Sequence, residues 1–450
     1  MVFVLPQNQA GQKPRIHAAL RHWLRWDKIS PMARSVVQIS GHIIDSLILP
    51  KILDLIIALG GEFEILQVQI GHRRSDRSYA LIQVEASTPE LLEHVLAKIK
   101  EHGALPVEAE KESAELQPAP ADGVFPDHFY ATTNLKTWVR VNDQWIEVEL
   151  PEMDCGIQVD LTAMRAACAP MHRVKKDDLI VVGHRGVKIL PPERRVPREA
   201  FEFMTSAVST EQPKGLLIRE IAESMKKTRS ENGRILVVAG PGLVHTGAAR
   251  HLVELIEQGY VHVLFAGNGL AVHDIETALY GTSLGVYLDK TIRAAEGHEH
   301  HLWAINTIRK VGGIRQAVEQ GVLQKGIFYS CVQKGVDFVL AGSIRDDGPL
   351  PDVITDTLEA QDVMREKARG VSFALMMATT LHAIATGNLL PATVKTVCVD
   401  INPAVVTKLT DRGTFQAIGL VTDVEPFLRE LREYLNPAIR KEPEAAGLSH

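Results

Sequence analysis

The sequence lacks the features that mark several common protein classes. Only four of its 450 residues are cysteines (Cys155, Cys168, Cys331 and Cys398), and no two of them form a C-x-x-C pair. This pattern is typical of reduced thiols in a cytoplasmic protein and argues against a disulfide framework. The formal net charge is −6, so the basic excess that general nucleic-acid binders usually carry is missing. We therefore expect no nucleic-acid partner.

Long apolar runs are also missing. A membrane-spanning helix needs about 20 consecutive apolar residues, and the best candidate, LILPKILDLIIALGG, is interrupted by Pro50, Lys51 and Asp54. The first residues, MVFVLPQN, have no basic segment before their short apolar run, so a signal peptide is not expected. These absences predict a cytoplasmic protein with no membrane partner.

Two stretches without apolar periodicity divide the chain into three predicted domains. They are VEAEKESAELQPAPAD (107–122) and LPPERRVPRE (190–199), whose charges and prolines favour exposed linkers. Residues 34–106 follow the order strand, helix, strand, strand, helix, which predicts a ferredoxin-like or ACT-like α/β module. Such a module binds a small ligand or another subunit, or it is purely structural. Residues 123–189 are predicted to be β-rich, with a hairpin at Asn142-Asp143.

Residues 200–436 alternate between strand and helix patterns. Four short apolar runs predict strands buried on both faces of a parallel sheet: RILVVAG (234–240), VHVLFAG (261–267), FVLAGS (338–343) and KTVCVDI (395–401). A helix is expected between Val244 and Gln258, with Gly259 ending it. This alternation predicts a doubly wound, Rossmann-like α/β domain.

The first of these runs lacks one glycine of the dinucleotide-binding pattern. In VVAGPGLVHTG, Gly240 and Gly242 fit the order G-x-G-x-x-G, but His245 stands at the third glycine position and Gly247 comes two residues late. By itself this stretch is either a phosphate-binding loop or only a tight turn between a strand and a helix, and the family resemblance given below favours a turn beside the cofactor. The late Gly247 is expected to allow close packing of the helix on the sheet.

Glycine-rich or acidic turns follow all four predicted strands. Ligands of open parallel sheets bind outside the carboxyl ends of the strands, so these turns together predict a nucleotide site. Asp400 ends the fourth strand, where a carboxylate can hold the hydroxyls of an adenosine ribose. Its charge would repel a 2′-phosphate and favour NAD over NADP. Alternatively, Asp400 caps the helix that follows it.

Two histidine-containing segments have an uncertain role. GHEHHLW (297–303) has the composition of a metal cluster, but adjacent residues point in different directions, so a solvated loop is expected and no metal site. His382 lies in the small, apolar segment MATTLHAIATGNLLP (377–391), where it is either a core histidine or a ligand contact.

The long motifs AGNGLAVHDIE, CVQKGVDFVLAGSIRDDGPLPDV, LHAIATGNLLP and VCVDINP, with the later GLVTDV, resemble those of the LOR/SDH-domain family. That family includes the archaeal-type ornithine cyclodeaminases and the C-terminal half of the cyanobacterial arginine dihydrolase/ornithine cyclodeaminases. The segment from VVQISGHIIDSLILP to SYALIQV resembles the family's N-terminal domain, so the likeness extends from about residue 34 to 436 of this sequence. It implies a Rossmann-like domain whose NAD site is similar to that of deoxyhypusine synthase.

The resemblance also implies the residues that bind NAD. They are Asn268 and Gly269 from AGNGLA, Asp347 from SIRDDGP, Thr379, Thr380, Leu381 and His382 from ATTLH, Asp400, and Asp423 with Val424 from VTDV. The sequence departs from the family at two of these positions. The family pattern has alanine at position 269 and a bulkier residue at position 380. Both changes shrink a side chain, which would alter the pocket without abolishing it.

The activity implied by the resemblance is NAD-dependent conversion of L-ornithine to L-proline and ammonia, by hydride transfer within one site. Asp346 is the expected proton-transfer group and Arg345 the expected partner of the substrate carboxylate, although a solvated salt bridge would explain both residues. Two alternatives stay open: another NAD-dependent amino-acid oxidoreductase, such as a saccharopine-type enzyme, or a non-enzymatic regulator that responds to NAD and an amino acid. We also expect a homo-oligomer, because the N-terminal module offers free sheet edges.

Overall fold

The computed structural model describes residues 33–190 and 214–436, except for short gaps at 42, 45–47, 72–75, 77, 101, 108–111, 288–298, 347 and 412–416. The chain divides into two compact units, Met1–Glu110 and Lys111–His450. None of the described helices is long and apolar enough to cross a membrane.

The first unit contains an antiparallel sheet and two helices. Its elements are β1 (Ala33–Gly41), α1 (Ile48–Ala58), β2 (Glu62–Gln69), β3 (Ser78–Ala86), α2 (Pro89–Lys100) and β4 (Leu105–Pro106). The strand order is β2-β3-β1-β4, with β2 and β4 at the edges. Residues of β3 alternate between buried and half-buried, as expected for a strand with one face on a core. Ile82 of β3 and Ile52 of α1 belong to that core.

The second unit begins with a seven-stranded, mainly antiparallel sheet, which we call the middle sheet. Its strands are β5 (Glu115–Pro118), β6 (Lys136–Val141), β7 (Gln144–Glu149), β8 (Gly156–Asp160), β9 (Arg165–Ala169), β10 (Leu179–Val182) and β11 (Val187–Leu190). The expected hairpin at Asn142-Asp143 is confirmed: both residues have positive φ, 48° and 64°, as a type I′ turn requires. The linker prediction for 107–122 is wrong at Glu115–Pro118, because this segment pairs with β10.

A seven-stranded parallel sheet forms the centre of the second unit. Its strands are β12 (Arg234–Ala239), β13 (Val263–Gly267), β16 (Asp337–Ala341), β17 (Val353–Ile354), β18 (Val371–Met377), β19 (Lys395–Asp400) and β20 (Ala417–Val421); β14 (Thr282–Ser283) and β15 (Val286–Tyr287) form a separate small hairpin. The order in the sheet is β17-β16-β13-β12-β18-β19-β20. The direction of strand progression reverses between β12 and β18. That gap is the topological switch point, where open α/β sheets bind their ligands.

Helices cover both faces of this parallel sheet. They are α3 (Lys214–Ser230), α4 (Gly242–His245), α5 (Ala249–Glu257), α6 (Asn268–Tyr280), α7 (His300–Val311), α8 (Ile314–Glu319), α9 (Ile327–Lys334), α10 (Thr357–Lys367), α11 (Leu381–Leu389), α12 (Pro403–Asp411) and α13 (Val424–Leu435). Val237 of β12 lies in a core with α3, α5 and α13, whereas its neighbour Val238 lies in a core with α10, α11 and α12. The predicted doubly wound α/β fold is therefore confirmed.

Two details of the predicted domain were wrong. The helix expected from Val244 to Gln258 is two helices, α4 and α5, separated by Gly247. Strand β18, at the centre of the sheet, was not recognised. Its run VSFALMM continues into the apolar segment that forms α11, and a short apolar run buried on both faces cannot be distinguished from a buried helix by periodicity.

The middle sheet docks on α10 and α11. Arg365 of α10 donates to Glu152 at 2.9 Å, and the Ala392 amide, just after α11, donates to the Asn134 carbonyl at 2.8 Å. Arg365 also bonds Asp362 of its own helix at 2.9 Å. The Arg365 bonds are charge-assisted, and together with the backbone bond from Ala392 they connect the middle sheet to this part of the chain.

Candidate functional site

The ends of β12 and β18 approach each other closely at the switch point. The Gly240 amide donates to the Met377 carbonyl at 3.0 Å. A Cβ atom on Gly240 would lie only 1.9 Å from the carbonyl oxygen of Ala378, and Ala378 itself has a positive φ of 51°. Only glycine fits at position 240, so the turn after β12 is as tight as the sequence indicated.

Gly247 does not have the predicted packing role. A Cβ atom there would meet nothing within 4 Å, so close approach of helix and sheet does not require this glycine. Its φ of +77° is the constraint. Gly247 provides the left-handed residue that ends α4 and lets α5 begin in a new direction.

The end of β13 joins the same contact region. A Cβ atom on Gly267 would lie 2.7 Å from Cε1 of His382, so the His382 ring lies over the end of β13. Gly269, in the first turn of α6, is less constrained, because its Cβ would lie 3.7 Å from Cγ of Pro241, an ordinary contact distance. Alanine, expected from the family pattern at this position, would therefore fit.

The helices that start at the carboxyl edge of the sheet fall into two groups. Within the described residues, no side chain caps the N-termini of α4, α6 and α11, which follow the central strands β12, β13 and β18. The helices that follow the outer strands are capped: α10 by Asp356, α12 by Asn402 and α13 by Asp423. The central helices α6 and α11 thus keep backbone N–H groups available to an anionic ligand, whereas in α4 the Leu243 and Val244 amides already donate to the Gly240 and Pro241 carbonyls.

Two of the three acidic residues expected at the cofactor, Asp400 and Asp423, make local hydrogen bonds. Asp400 is 8% exposed, and its Oδ1 accepts the amide of Asn402 at 2.8 Å. Asp423 is exposed and accepts the amide of Glu425 at 3.0 Å as the cap of α13, while Val424 is buried in the core. Asp400 thus lies at the end of a buried strand as expected, but the alternative that it caps the next helix is wrong, because Asn402 caps α12.

The loop after β16 folds back on itself. Asp346 accepts the amide of Ser343 at 2.8 Å, and Arg345 is exposed to solvent. The Leu350 amide donates to Oδ1 of the buried Asn268 at 3.1 Å, which ties the loop to the start of α6. Asp347, also expected in the site, lies outside the described residues.

His382 is half-buried at the centre of the edge. Burial lowers the pKa of its imidazole below the usual value, and the nearby carboxylate of Asp346 only partly opposes this effect. His382 is therefore a neutral ring near neutral pH. Thr379 is half-buried and Thr380 is exposed beside it.

Three large apolar side chains are exposed along this edge. Ile344, Leu381 and Ile401 follow β16, β18 and β19 and are 107%, 71% and 72% exposed. Apolar residues this exposed beside polar ones are typical of a ligand-binding surface.

A polar cluster between α4, α6 and α7 was not recognised in the sequence. Glu276, which is fully buried, lies 2.9 Å from Nδ1 of His273 and accepts the Thr282 hydroxyl at 2.9 Å. Thr282 in turn lies 2.8 Å from Nδ1 of His300, and His245 packs against His273. The solvated-loop prediction is wrong for His300, which is 8% exposed and begins α7. Among the described residues, no group of three or more candidate ligands could hold a metal ion.

Comparisons with known proteins place the chain in a family. Residues 34–135 match the LOR/SDH bifunctional enzyme conserved region, and residues 136–218 and 219–431 match the first and the Rossmann-fold C-terminal regions of ArgZ-like arginine dihydrolases. An ornithine cyclodeaminase from Methanothermobacter thermautotrophicus is 55% identical over 393 residues, 87% of this chain and 95% of that protein. The chain belongs to the ornithine cyclodeaminase family.

Solved structures in this family share the fold. The apo structure of ArgZ, a cyanobacterial arginine dihydrolase, has a TM-score of 0.79 and 39% identity, and the match covers 91% of this chain and 59% of that one. AgrE has been solved in a ternary complex with ornithine and NAD+, at 39% identity and a TM-score of 0.50, with the same coverage of 91% and 59%. The predicted LOR/SDH resemblance is thereby confirmed.

Proposed function

We propose that this protein is an NAD-dependent ornithine cyclodeaminase, which converts L-ornithine to L-proline and ammonia. The observation that carries the proposal is the 55% identity with a curated ornithine cyclodeaminase across 95% of that protein's length. Two further relatives of the same name, from Methanopyrus kandleri and Methanocaldococcus jannaschii, are 54% and 53% identical. The AgrE complex with ornithine and NAD+ supports the same pair of ligands.

The residues at the switch point fit NAD. The uncapped N-termini of α6 and α11 offer N–H groups for the pyrophosphate. The buried Asp400 carboxylate suits the ribose hydroxyls, and the exposed Leu381 and Ile401 suit the faces of flat rings. NAD would supply the acceptor that takes a hydride from substrate carbon and later returns it.

At the level of single residues, the cofactor would be lined by the set that the family resemblance implies. That set is Asn268, Gly269, Asp347, Thr379, Thr380, Leu381, His382, Asp400, Asp423 and Val424. The juxtaposition of Gly267, Asn268 and His382 supports it. The deoxyhypusine-synthase-like character of the site is part of this proposal and agrees with the missing third glycine after β12.

Arg345 and Asp346 would act on the substrate from the loop after β16. Arg345 is exposed, so its guanidinium group is accessible to the substrate carboxylate. Asp346 is close enough to His382 to influence its pKa, so the two would lie beside the same ligand. The site must also exclude water, because an imine formed from ornithine hydrolyses readily.

An isotope experiment tests the reaction. Ornithine deuterated at Cα should yield proline that retains deuterium at Cα, because the hydride leaves and returns within one site. Proline and ammonia should form in equal amounts with no net consumption of NAD. A saccharopine-type dehydrogenase would release deuterated NADH instead, and a regulator would bind ornithine without turnover.

We also propose that the first unit is a ferredoxin/ACT-like module, that the middle sheet and the parallel sheet are separate domains, and that the protein is a homo-oligomer. The strand order β2-β3-β1-β4 supports the first assignment.

Edge strand β2 exposes Ile65 and Leu66, at 43% and 45%, and an apolar edge strand favours pairing with another chain. Light scattering should give an oligomer that Ile65→Lys weakens; a monomer at micromolar concentration would refute this.

A further inference from the structure

The polar cluster on α6 lies one helical turn from the switch point. The His245 amide donates to the Pro241 carbonyl at 3.2 Å, so these two residues are one turn apart on α4. His273 follows Gly269 by four residues on α6, and residues four apart share a helix face. Gly269 faces Pro241, and the rings of His273 and His245 meet edge to face with their centroids 4.7 Å apart. The histidine pair is therefore displaced from the Gly269–Pro241 contact by about 5 Å along both helices.

Glu276 fixes the orientation of His273. Burial alone would raise the pKa of Glu276, but hydrogen bonds from His273, Gly285 and Thr282 lower it below the usual value, so the carboxylate is ionised. An ionised carboxylate only accepts, so Nδ1 of His273 must donate to it across their 2.9 Å contact. Nε2 of the neutral ring is then the acceptor. A carboxylate sets the tautomer of a catalytic histidine in the same way in Ser-His-Asp triads.

His245 is a neutral neighbour of His273 near neutral pH. Burial, and then the charge of His273, lowers the pKa of His245 to about 4. Its Nδ1 lies 2.7 Å from the Ser283 hydroxyl. His245 is therefore a poor proton acceptor near neutral pH. The His273 side chain is 13% exposed whereas that of Glu276 is fully buried, so His273 is the more accessible member of this hydrogen-bonded pair.

We propose that His273 is the proton acceptor and donor of the cyclodeamination, with Glu276 as its positioning residue. The assignment rests on the proposed function. Nε2 of His273 takes a proton from a substrate ammonium: the N–H bond breaks, an Nε2–H bond forms, and a neutral amine remains. The proton is later returned to the nitrogen that leaves as ammonia. The histidine pair ends the cycle as it began, with no net gain of protons or electrons.

Glu276 also has a structural role, which the experiment must separate from the proposed one. It accepts the amides of Leu284 and Gly285, in a turn where both residues have positive φ. Asp274, two residues earlier on α6, provides a matched control. It is a buried carboxylate that accepts the amides of Ile327 and Phe328 at the start of α9, at 2.9 and 3.0 Å.

The test compares Glu276→Gln, His273→Gln and Asp274→Asn in the full-length protein. Glu276→Gln places an amide N–H against Nδ1 of His273 and forces the wrong tautomer. It should lower kcat by about 100-fold or more. KM for ornithine and Kd for NAD should change by less than about twofold, and the acid limb of the kcat profile should shift. His273→Gln leaves the turn at Leu284 bonded to Glu276 and should lose kcat equally. Asp274→Asn should lower Tm while kcat and its pH profile stay near those of the wild type.

Several outcomes would overturn the assignment. If His273→Gln or Glu276→Gln keeps kcat within about threefold of the wild type, His273 does not carry the proton. If either variant loses NAD affinity in proportion to its rate, the cluster acts on binding. If Glu276→Gln behaves like Asp274→Asn, with a lower Tm and normal kcat, Glu276 is structural only. Failure of the wild type to form proline from ornithine would instead refute the proposed function.

Discussion

At the carboxyl edge of the parallel sheet, the helices that follow the central strands begin differently from those that follow the outer strands. At the flanks, Asp356, Asn402 and Asp423 each cap the helix that follows an outer strand. At the centre, α4, α6 and α11 start without side-chain caps among the described residues, next to a turn where only glycine fits. A capped end has satisfied its own donors, whereas an uncapped end leaves them for a ligand. We therefore expect the flanks to contribute mainly stability and the uncapped starts of α6 and α11 to contribute to binding.

The largest loss of NAD affinity is expected from Gly240→Ala, at the centre of this edge. The new Cβ would lie 1.9 Å from the Ala378 carbonyl oxygen, so the backbone must move, and a displacement of about 1 Å in a site can cost about 100-fold. We expect NAD affinity, measured by calorimetry, to fall by at least that factor, with a lower Tm. Gly269→Ala is the matched comparison: it adds only an ordinary contact 3.7 Å from Pro241, so it should change NAD affinity and Tm far less than Gly240→Ala does. Equal behaviour of the two variants would mean that the close approach at Gly240 does not shape the site.

Asp400 lies next to the central strands, and its substitution is expected to have the next largest effect on NAD binding. Asp400→Ala should weaken NAD binding by about tenfold, the value of one charge-assisted hydrogen bond. Asp400→Ser should narrow the difference in affinity between NAD and NADP, since the charge that repels a 2′-phosphate is gone. Unchanged affinities for both cofactors in both variants would limit Asp400 to its bond with the Asn402 amide.

Acid should weaken the centre through His245. Its pKa is lowered from 6.5 to about 4 in the folded protein, first by burial and then by His273. The unfolded chain therefore binds this proton first as the pH falls below 6.5, and folding stability decreases between pH 6.5 and 4. Thermal unfolding should show a loss of a few degrees in Tm over this range that is smaller in His245→Gln. The same slope in both proteins would contradict the assignment.

The smallest effects are expected at the flanks. Asp356→Ala and Asp423→Ala should each cost about 1 kcal/mol of stability in urea unfolding, the usual value of a helix cap. Asp356→Ala should leave NAD affinity unchanged. Asp423→Ala distinguishes two roles: a pure cap predicts the same result, whereas the cofactor contact implied by the family resemblance predicts weaker NAD binding as well.

Local patterns were sufficient to predict much of the fold. The strands β12, β13, β16 and β19 are short apolar runs followed by turns, and all four lie in the parallel sheet. The hairpin at Asn142-Asp143 could also be predicted from the sequence, because its turn needs two residues with positive φ. Strand β18 was missed because its apolar run has no clear end before α11, so the neighbour of β12 at the switch point could not be identified.

The site depends on contacts between residues distant in sequence, which is why less of it could be predicted. The requirement for glycine at 240 comes from Ala378, more than a hundred residues later. His273 looked like part of a glycine-rich turn, and its importance appears only when Glu276, Thr282 and His300 come together. Asp352, in the loop expected to bind ligand, instead accepts the Ile314 amide at the start of α8.

The contact between Gly240 and Ala378 has a consequence for how such enzymes diversify. This contact is formed by backbone atoms. No side-chain substitution can therefore change its geometry without disturbing the fold. We therefore expect changes in substrate preference to come from the segments around it, such as the loop between Gly342 and Leu350 and the hairpin near Ser283. A library that varies those two segments and keeps Gly240 and Ala378 constant should retain cofactor binding in most members. It can then be screened for activity on other amino-acid substrates.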